Sequence, residues 1–429
     1  MKRIFNLPTA ALSLALAAAG STPLIMSFSA TAFAADKPQA LSPKVYKPIK
    51  EAGDLLDKNQ YQEALAKALE AVSVTDKTPF DTDIAYDYLG RIYLGLKDYP
   101  NAAAAFDASY SSGAMSADAK ASRLKVTTEL YLQIGNYPKA IEFANHYLTD
   151  VGPDADMEAH LGQASYLNKD LKNASDELRK AIAMADSAKT PVKQDWFTFL
   201  EHSEAEQMNV NGVIATEEMI VQRFPDKASW SSLLTNISNN IKGSDKVTLD
   251  IFRLQLAVGV MKSPADYIEA ANLALKEELP GDARTALQKG YDAGTLGAGS
   301  LKSEAAQLKA KAAAAADADL KSIDSGAKIA AGQKTGDADI KFGEAYWSYG
   351  QYDRAIAAIQ RGIGKGVKDP DDAQLRLGLA YLGAGQKPQA LTAFNGITSN
   401  TPTAQIAHLW ALYTTNPPVA DSAAQPAAQ

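Results

Sequence analysis

The 429-residue chain contains no cysteine. That removes any disulfide framework and any lipid-attachment cysteine. Histidine is scarce: His146, His160, His202 and His408 are scattered along the chain, without the close pairing expected of a zinc site. Strand-like alternation of Val, Ile and Thr is almost absent, while alanine dominates and forms runs such as Ala102 to Ala105 and Ala312 to Ala316. The expectation is an all-α chain. Long apolar runs are lacking as well. The main one, Ala10 to Ala19, is about half of the roughly 20 residues that cross a bilayer, and Gly20 and Pro23 break it. With Lys2 and Arg3 ahead of it and Ala32-Phe33-Ala34 behind, it reads as a cleavable signal peptide over residues 1–34. The mature chain then starts near Ala35 and is exported, with a periplasmic location expected and no membrane span after cleavage.

Positive charge is in deficit. Without Lys2 and Arg3 the 43 basic residues become 41 against 50 acidic ones, a net charge of −9. That balance disfavours nucleic acid and anionic membrane surfaces as partners.

Motifs of catalysis are missing too. There is no Gly-x-Ser-x-Gly elbow, and Gly332-Gln333-Lys334-Thr335 lacks both the adjacent Gly-Lys pair and a glycine five residues earlier that a phosphate loop needs. Gly362, Gly364 and Gly366 beside Lys365 read as the end of a helix. Pro153-Asp154-Ala155-Asp156 and Pro370-Asp371-Asp372 read as helix N-terminal caps and dipole partners rather than metal ligands. No catalytic residue, metal or cofactor is expected.

What the chain does have is a recurring short sentence: Asn59-Gln60-Tyr61, Lys97-Asp98-Tyr99, Gly135-Asn136-Tyr137, Lys169-Asp170-Leu171, Gly350-Gln351-Tyr352 and Gly385-Gln386-Lys387, each reaching an alanine three residues later. Ala64, Ala102, Ala140 and Ala174 follow one another at 38, 38 and 34 residues, and Ala390 follows Ala355 by 35. This is the period of a helix–turn–helix unit that must stack to bury its apolar face. Upstream of each turn stand Leu89-Gly90 and Tyr93, Leu161-Gly162, Phe342-Gly343 and Tyr346, or Leu377-Gly378 and Tyr381; downstream stand Phe106, Leu178, Ile359 and Phe394.

That spacing resembles the tetratricopeptide repeat. The resemblance implies that the glycine and the alanine sit where helix A touches helix B, and that the Tyr and Phe fill gaps between units. Glu278-Leu279-Pro280-Gly281-Asp282-Ala283 and Asn209 to Ala215 look like further turns. Hidden units near Leu249 and Leu320 then complete an α-solenoid of about ten stacked helix-turn-helix units. Its expected organisation is repeats over 45–234, an irregular loop or hinge over 235–250, further repeats over 251–414 and a disordered tail over 415–429. Gly290 to Ser300, with four glycines, is expected to be a long turn.

The resemblance also places helix A on a concave groove. Carried over by spacing, the groove presents Asp87, Tyr88, Arg91, Lys125, Glu129, His160, Gln163 and Tyr166, and towards the C-terminus Lys341, Glu344, Trp347 and Arg376. Repeats that clamp a peptide's C-terminal carboxylate use a Lys with an Asn four residues on. Here Lys125 is followed by Glu129, so a plain C-terminal carboxylate is not the expected ligand.

The function this implies is a non-catalytic scaffold holding protein or peptide partners of the cell envelope, in assembly or secretion. The alternative is binding of a cell-wall glycan or exported polysaccharide, for which Tyr88, Tyr166 and Trp347 would have to act as platforms. The superhelical lytic transglycosylases, which the chain also resembles in being an α-solenoid, need a lysozyme-like domain, and only residues 398–429 follow Ile397.

Overall fold

The recurring sentence is a turn in which one residue takes the left-handed conformation. Asn59, Lys97, Gly135, Lys169, Met208, Glu278, Gly350 and Gly385 all have φ between 56° and 76°. The residue after each left-handed one then opens helix B. Asp98, Asn136 and Asp170 do so by accepting a hydrogen bond from the backbone N–H three residues on. Asn, Gly or Lys fills this position at six of the eight turns, and Met208 and Glu278 fill the other two.

The computed structural model describes residues 39–419. The signal peptide expected over 1–34 and residues 420–429 of the expected tail lie outside the described residues. Two units divide at Val213/Ile214. The described part is helical without strands.

In the first unit helices pair as A and B: α1 (Pro43–Leu56) with α2 (Tyr61–Val72), α3 (Pro79–Gly95) with α4 (Tyr99–Ser111), α5 (Ala117–Gln133) with α6 (Tyr137–Asp150), and α7 (Ala155–Leu167) with α8 (Leu171–Ala188). α9 (Gln194–Glu206) follows, and α10 (Val210–Arg223) spans the division. Ala64, Ala102, Ala140 and Ala174 are fully buried. Opposite them the glycines allow close approach: a Cβ on Gly162 would fall 2.6 Å from Leu178 Cγ. The small-residue contact between A and B is therefore as the repeat pattern implies. Phe106, expected between units, lies on its own unit's Gly90 as well as under Arg123 of the next.

The second unit comprises α11 (Lys227–Asn240), α12 (Asp245–Val258), α13 (Pro264–Lys276), α14 (Pro280–Asp292), α15 (Lys302–Ala331), α16 (Asp337–Ser348), α17 (Tyr352–Lys365), α18 (Pro370–Gly383), α19 (Lys387–Asn395) and α20 (Pro402–Thr415). Gly343 against Ile359 and Gly378 against Phe394 repeat the A–B contact of the first unit. Ala293 to Leu301 is irregular, as expected of the glycine-rich stretch.

Two expectations need correction. Most of 235–250 is helix, because Ser244 caps α12 and the Asn/Ser stretch through Asn240 continues α11; only 241–244 is irregular. The unit expected near Leu320 is a single 30-residue helix, α15. Its Ala- and Lys-rich run stays right-handed through Gly326, so the helix continues to Ala331.

The second unit also closes on itself. α20 packs against α12 and α18, the Trp230 indole N–H donates to the Asn416 carbonyl at 3.1 Å, and the Tyr413 hydroxyl donates to the Ala257 carbonyl at 3.3 Å.

Candidate functional site

On the A helices of the first unit, charged side chains form a continuous strip. Asp87 on α3 pairs with Arg123 on α5, and Arg91, one turn along and exposed, stands 3.9 Å from it. Burial pushes the Asp87 carboxyl up, and the two arginines offset part of that rise. Lys125 on α5 reaches Asp156 on α7 at 3.6 Å, and Asp156 accepts from Lys193, the residue preceding α9, at 2.7 Å. Ion pairs therefore link α3 to α5, α5 to α7 and α7 to the start of α9.

Glu129 and His160 sit inside this field. Burial raises Glu129, opposed by Lys125 and Lys193. Burial and then the same two lysines hold His160 down to about 4, and its buried Nδ1 has no hydrogen-bond partner among the described residues. His160 is thus a neutral imidazole near neutral pH. Gln163 lies one turn further along α7. Lys125, Glu129 and His160, drawn from two units of the sequence, are brought to one place. Arg123, Asp156 and Lys193, which complete the strip, were not on the sequence-derived groove. Their signal was weak because each lies at a helix end or one step off the expected stripe.

The two aromatic candidates of this unit pack beside the strip, with Arg91 5.2 Å over the Tyr88 ring. A Cβ on Gly53 of α1 would meet the Tyr88 ring at 3.2 Å, and Tyr166 packs 5.6 Å from Phe199 while its hydroxyl donates to Glu206 at 2.7 Å. Both fill space between neighbouring helices.

In the second unit Glu344 and Arg376 pair directly at 3.2 Å, while Lys341 stands outside that pair. Lys341 is exposed and pairs with Glu278. Trp347 donates its indole N–H to the Leu379 carbonyl at 3.0 Å, with Arg253 5.0 Å over the ring. Glu344 and Arg376, expected on an open groove, are 5% and 2% exposed. The reason is the closure of this unit, which turns the groove position into an interior. There Arg376 donates to Asp250 at 2.7 Å and pairs with Asp372 at 2.9 Å, while Arg253 reaches Glu344 at 2.9 Å and Asp250 at 2.6 Å and also pairs with Asp282. Lys246 completes the network on Asp372 at 2.6 Å. Burial alone would raise Glu344, but Arg376 and Arg253 outweigh it and hold the carboxyl down to about 2. The network ties α12, α14, α16 and α18 together. Its sequence signal was present in Asp250/Arg253 and Asp372/Arg376, spaced three and four apart as helical ion pairs are.

The two acidic caps prove to have divided roles. Asp154 caps α7 through the Met157 N–H at 2.9 Å and Asp369 caps α18 through the Asp372 N–H at 3.0 Å, while Asp156 and Asp372 are spent on cations. Among the described residues no group of three or more His, Asp or Glu side chains is arranged to hold a metal ion. No described helix is long and apolar enough to cross a membrane.

Helix pairs repeating one left-handed turn, one small-residue contact and one helix-B aromatic or aliphatic position define an α-solenoid of stacked repeats. Over residues 49–119 and 340–404 these pairs are tetratricopeptide repeats, where the tetratricopeptide repeat family matches the chain. No curated protein matches it in sequence. Among solved structures it is similar to Naa15/Naa10 bound to HypK-THB, at 12% identity and TM-score 0.36 over 82% of this chain; the match spans only 63% of that one. It is similar also to a tetratricopeptide repeat protein from Parabacteroides merdae, at 11% identity and TM-score 0.31, covering 86% of this chain and 100% of that one. Yeast Tom70 matches at 11% identity and TM-score 0.25, covering 86% of this chain and 95% of that one. Repeats of this kind are interaction scaffolds, and that coarse class applies here.

Proposed function

We propose that this chain is a non-catalytic adaptor, exported to the periplasm, that holds a protein partner of the cell envelope on the charged strip of its first unit. The observation that carries the reading is the strip itself: alternating Asp87, Arg91, Lys125, Glu129 and Gln163 side chains on side-by-side A helices, cross-braced by Arg123, Asp156 and Lys193. Braced charges present a fixed pattern, and a fixed pattern gives a partner register and specificity more than raw affinity. The export half of the reading rests on Lys2, Arg3, the Ala10 to Ala19 run and Ala32-Phe33-Ala34. A glycan reading would want consecutive exposed aromatic faces, whereas Tyr88, Tyr166 and Trp347 are committed to neighbouring helices.

The test is site-specific photocrosslinking in intact cells, with the reactive group at Gln163 and, as a control, at exposed Lys172 on α8. A discrete protein adduct at Gln163 that is absent at Lys172 and lost with Arg91→Ala plus Lys125→Ala is expected. Identical adducts at both positions, or none at Gln163, overturn the adaptor reading. N-terminal sequencing of the protein recovered from the envelope fraction is expected to give Ala35; an intact Met1 in the cytosol overturns export.

A further inference from the structure

The closure of the second unit leaves a cavity of about 610 Å³ inside it, between α12, α14, α18 and α20. That lies within the range of small-molecule sites, about 300–1,000 Å³. Its buried floor is apolar: Leu249, Ala270, Ala286 and Leu379, with Trp410 at one side. Its exposed rim carries Arg284, Thr285, Lys289 and Gly350. The wall is thus apolar over much of its depth, where the mutually paired Arg253 and Asp282 also line it, and cationic at the mouth.

The polar atoms of the wall are mostly spent within the protein. Trp347 donates to Leu379, Tyr413 to Ala257, and the Tyr349 hydroxyl to Asp319 at 2.7 Å. These residues therefore show ring faces to the cavity rather than hydrogen-bonding groups, which a sugar would require in number. Arg253 is neutralised by Asp250, Asp282 and Glu344. Beside the Thr285 and Tyr352 hydroxyls, three nitrogen donors remain. Arg284 stacks over Tyr349 at 5.7 Å and has no ion-pair partner among the described residues. Lys289 gives one hydrogen bond to the Leu256 carbonyl at 3.0 Å and likewise lacks a carboxylate partner. The Trp410 indole N–H, in a side chain 4% exposed, has no acceptor among the described residues. A buried donor without an acceptor is costly unless something fills its place.

We propose that this cavity binds an amphipathic organic anion, a carboxylic acid whose apolar body fills the floor and whose carboxylate meets Arg284 and Lys289 at the mouth. The site is independent of the charged strip on the first unit, so the chain would carry a small molecule in one unit and a protein in the other. Alkyl and aromatic acids share the required chemistry. The Phe252, Trp347, Trp410 and Tyr413 rings accept either body through apolar contact.

The test uses the purified full chain. Decanoate, 2-naphthoate and the uncharged 1-decanol are titrated by calorimetry and by tryptophan emission. The expected result is one equivalent of at least one of the two acids bound, with a dissociation constant on the order of 10–100 µM, and 1-decanol bound about tenfold more weakly. Arg284→Ala with Lys289→Ala is expected to weaken the acid about tenfold and leave 1-decanol unchanged. Thr285→Trp, placed on the exposed rim so that folding is not at stake, is expected to block both. Which acid binds tells the alkyl from the aromatic body. Absence of binding by both acids, equal affinity for acid and alcohol, or acid binding that survives Thr285→Trp overturns the proposal.

Discussion

Gly90 lies flat against the ring of Phe106, so close that a Cβ built on the glycine would fall 2.3 Å from the ring's Cε1. Gly378 and Phe394 stand in the same relation at the same distance, almost three hundred residues further along. Neither phenylalanine has room to retreat, since both are about fully buried. Gly90→Ala and Gly378→Ala are therefore expected to destabilise their units by roughly 1–3 kcal/mol each through overpacking. Gly364 on α17 meets nothing within 4 Å, and Gly364→Ala should instead be neutral or gain about 0.5–1 kcal/mol of helix stability. Urea unfolding followed by circular dichroism checks all three, and equal effects at Gly90 and Gly364 would remove the contact argument.

The left-handed turn makes a second prediction. Met208 holds φ 56° with its side chain 79% exposed, so it contributes strain and little packing. An L side chain in that region costs about 1–2 kcal/mol, while glycine costs roughly 0.5–1 kcal/mol of chain entropy. Met208→Gly is expected to stabilise by up to about 1 kcal/mol, read as a rise in the thermal midpoint. A fall would mean the turn is held by the methionine itself.

The turns also show why so much of the fold was legible. A residue that must be left-handed is restricted to a few types, and the alanine and glycine of the A–B contact are restricted by volume, so these positions repeat in the letters of the sequence. Met208 and Glu278 obey the same geometry with residues that carry no such signature, which is why the middle of the array could be located only by counting. The closure of the second unit had no local signal: Trp230 meeting Asn416, and Asp250 meeting Arg376, depend on pairs 186 and 126 residues apart. Groove positions could thus be placed on the right helix face, but whether that face opens to solvent, as at Arg91, or is covered, as at Arg376, is decided by contacts remote in sequence.

Arg376 is the member of the buried network whose loss should be felt most. It serves Asp250, Asp372 and Glu344 at once. Arg376→Met removes the cation and leaves carboxylates buried against fewer partners, at an expected cost of about 3–5 kcal/mol. Lys341→Ala, which breaks an exposed pair with Glu278, should cost less than about 1 kcal/mol. Chemical denaturation of both variants at neutral pH separates the two cases, and comparable losses would contradict the burial argument.

Glu177 on α8 and Glu158 on α7 make a pair of carboxylates, each with one buried oxygen that has no hydrogen-bond partner among the described residues. Lys180 answers both, reaching Glu158 at 2.6 Å and Glu177 at 3.7 Å, but Asp176 adds a further negative charge. Burial, and then the hydrogen bond and charge of Glu158, raise Glu177 to about 7 from 4.5. The folded chain thus holds a proton that the unfolded chain releases between pH 4.5 and 7, and stability must fall as pH rises through that window. Glu177→Gln keeps a donor towards Glu158 at every pH. The variant is expected to melt at the same temperature as the parent at pH 4 and above it at pH 8.

His160 works in the opposite sense on the neighbouring face of α7. Its folded value, held down to about 4 by burial and by Lys125 and Lys193, lies below the 6.5 of the unfolded chain. The unfolded chain therefore binds the extra proton between those values, and stability is lost as pH falls from 6.5 towards 4. His160→Gln should abolish that acid-side loss while leaving the midpoint at pH 8 nearly unchanged. Between pH 4.5 and 6.5 the two residues pull against one another, so the parent should show a flatter profile there than either variant. Thermal midpoints measured across pH 4–8 for the parent, Glu177→Gln and His160→Gln decide the matter: a parent profile as steep as both variants would show that the two groups do not titrate as their surroundings dictate.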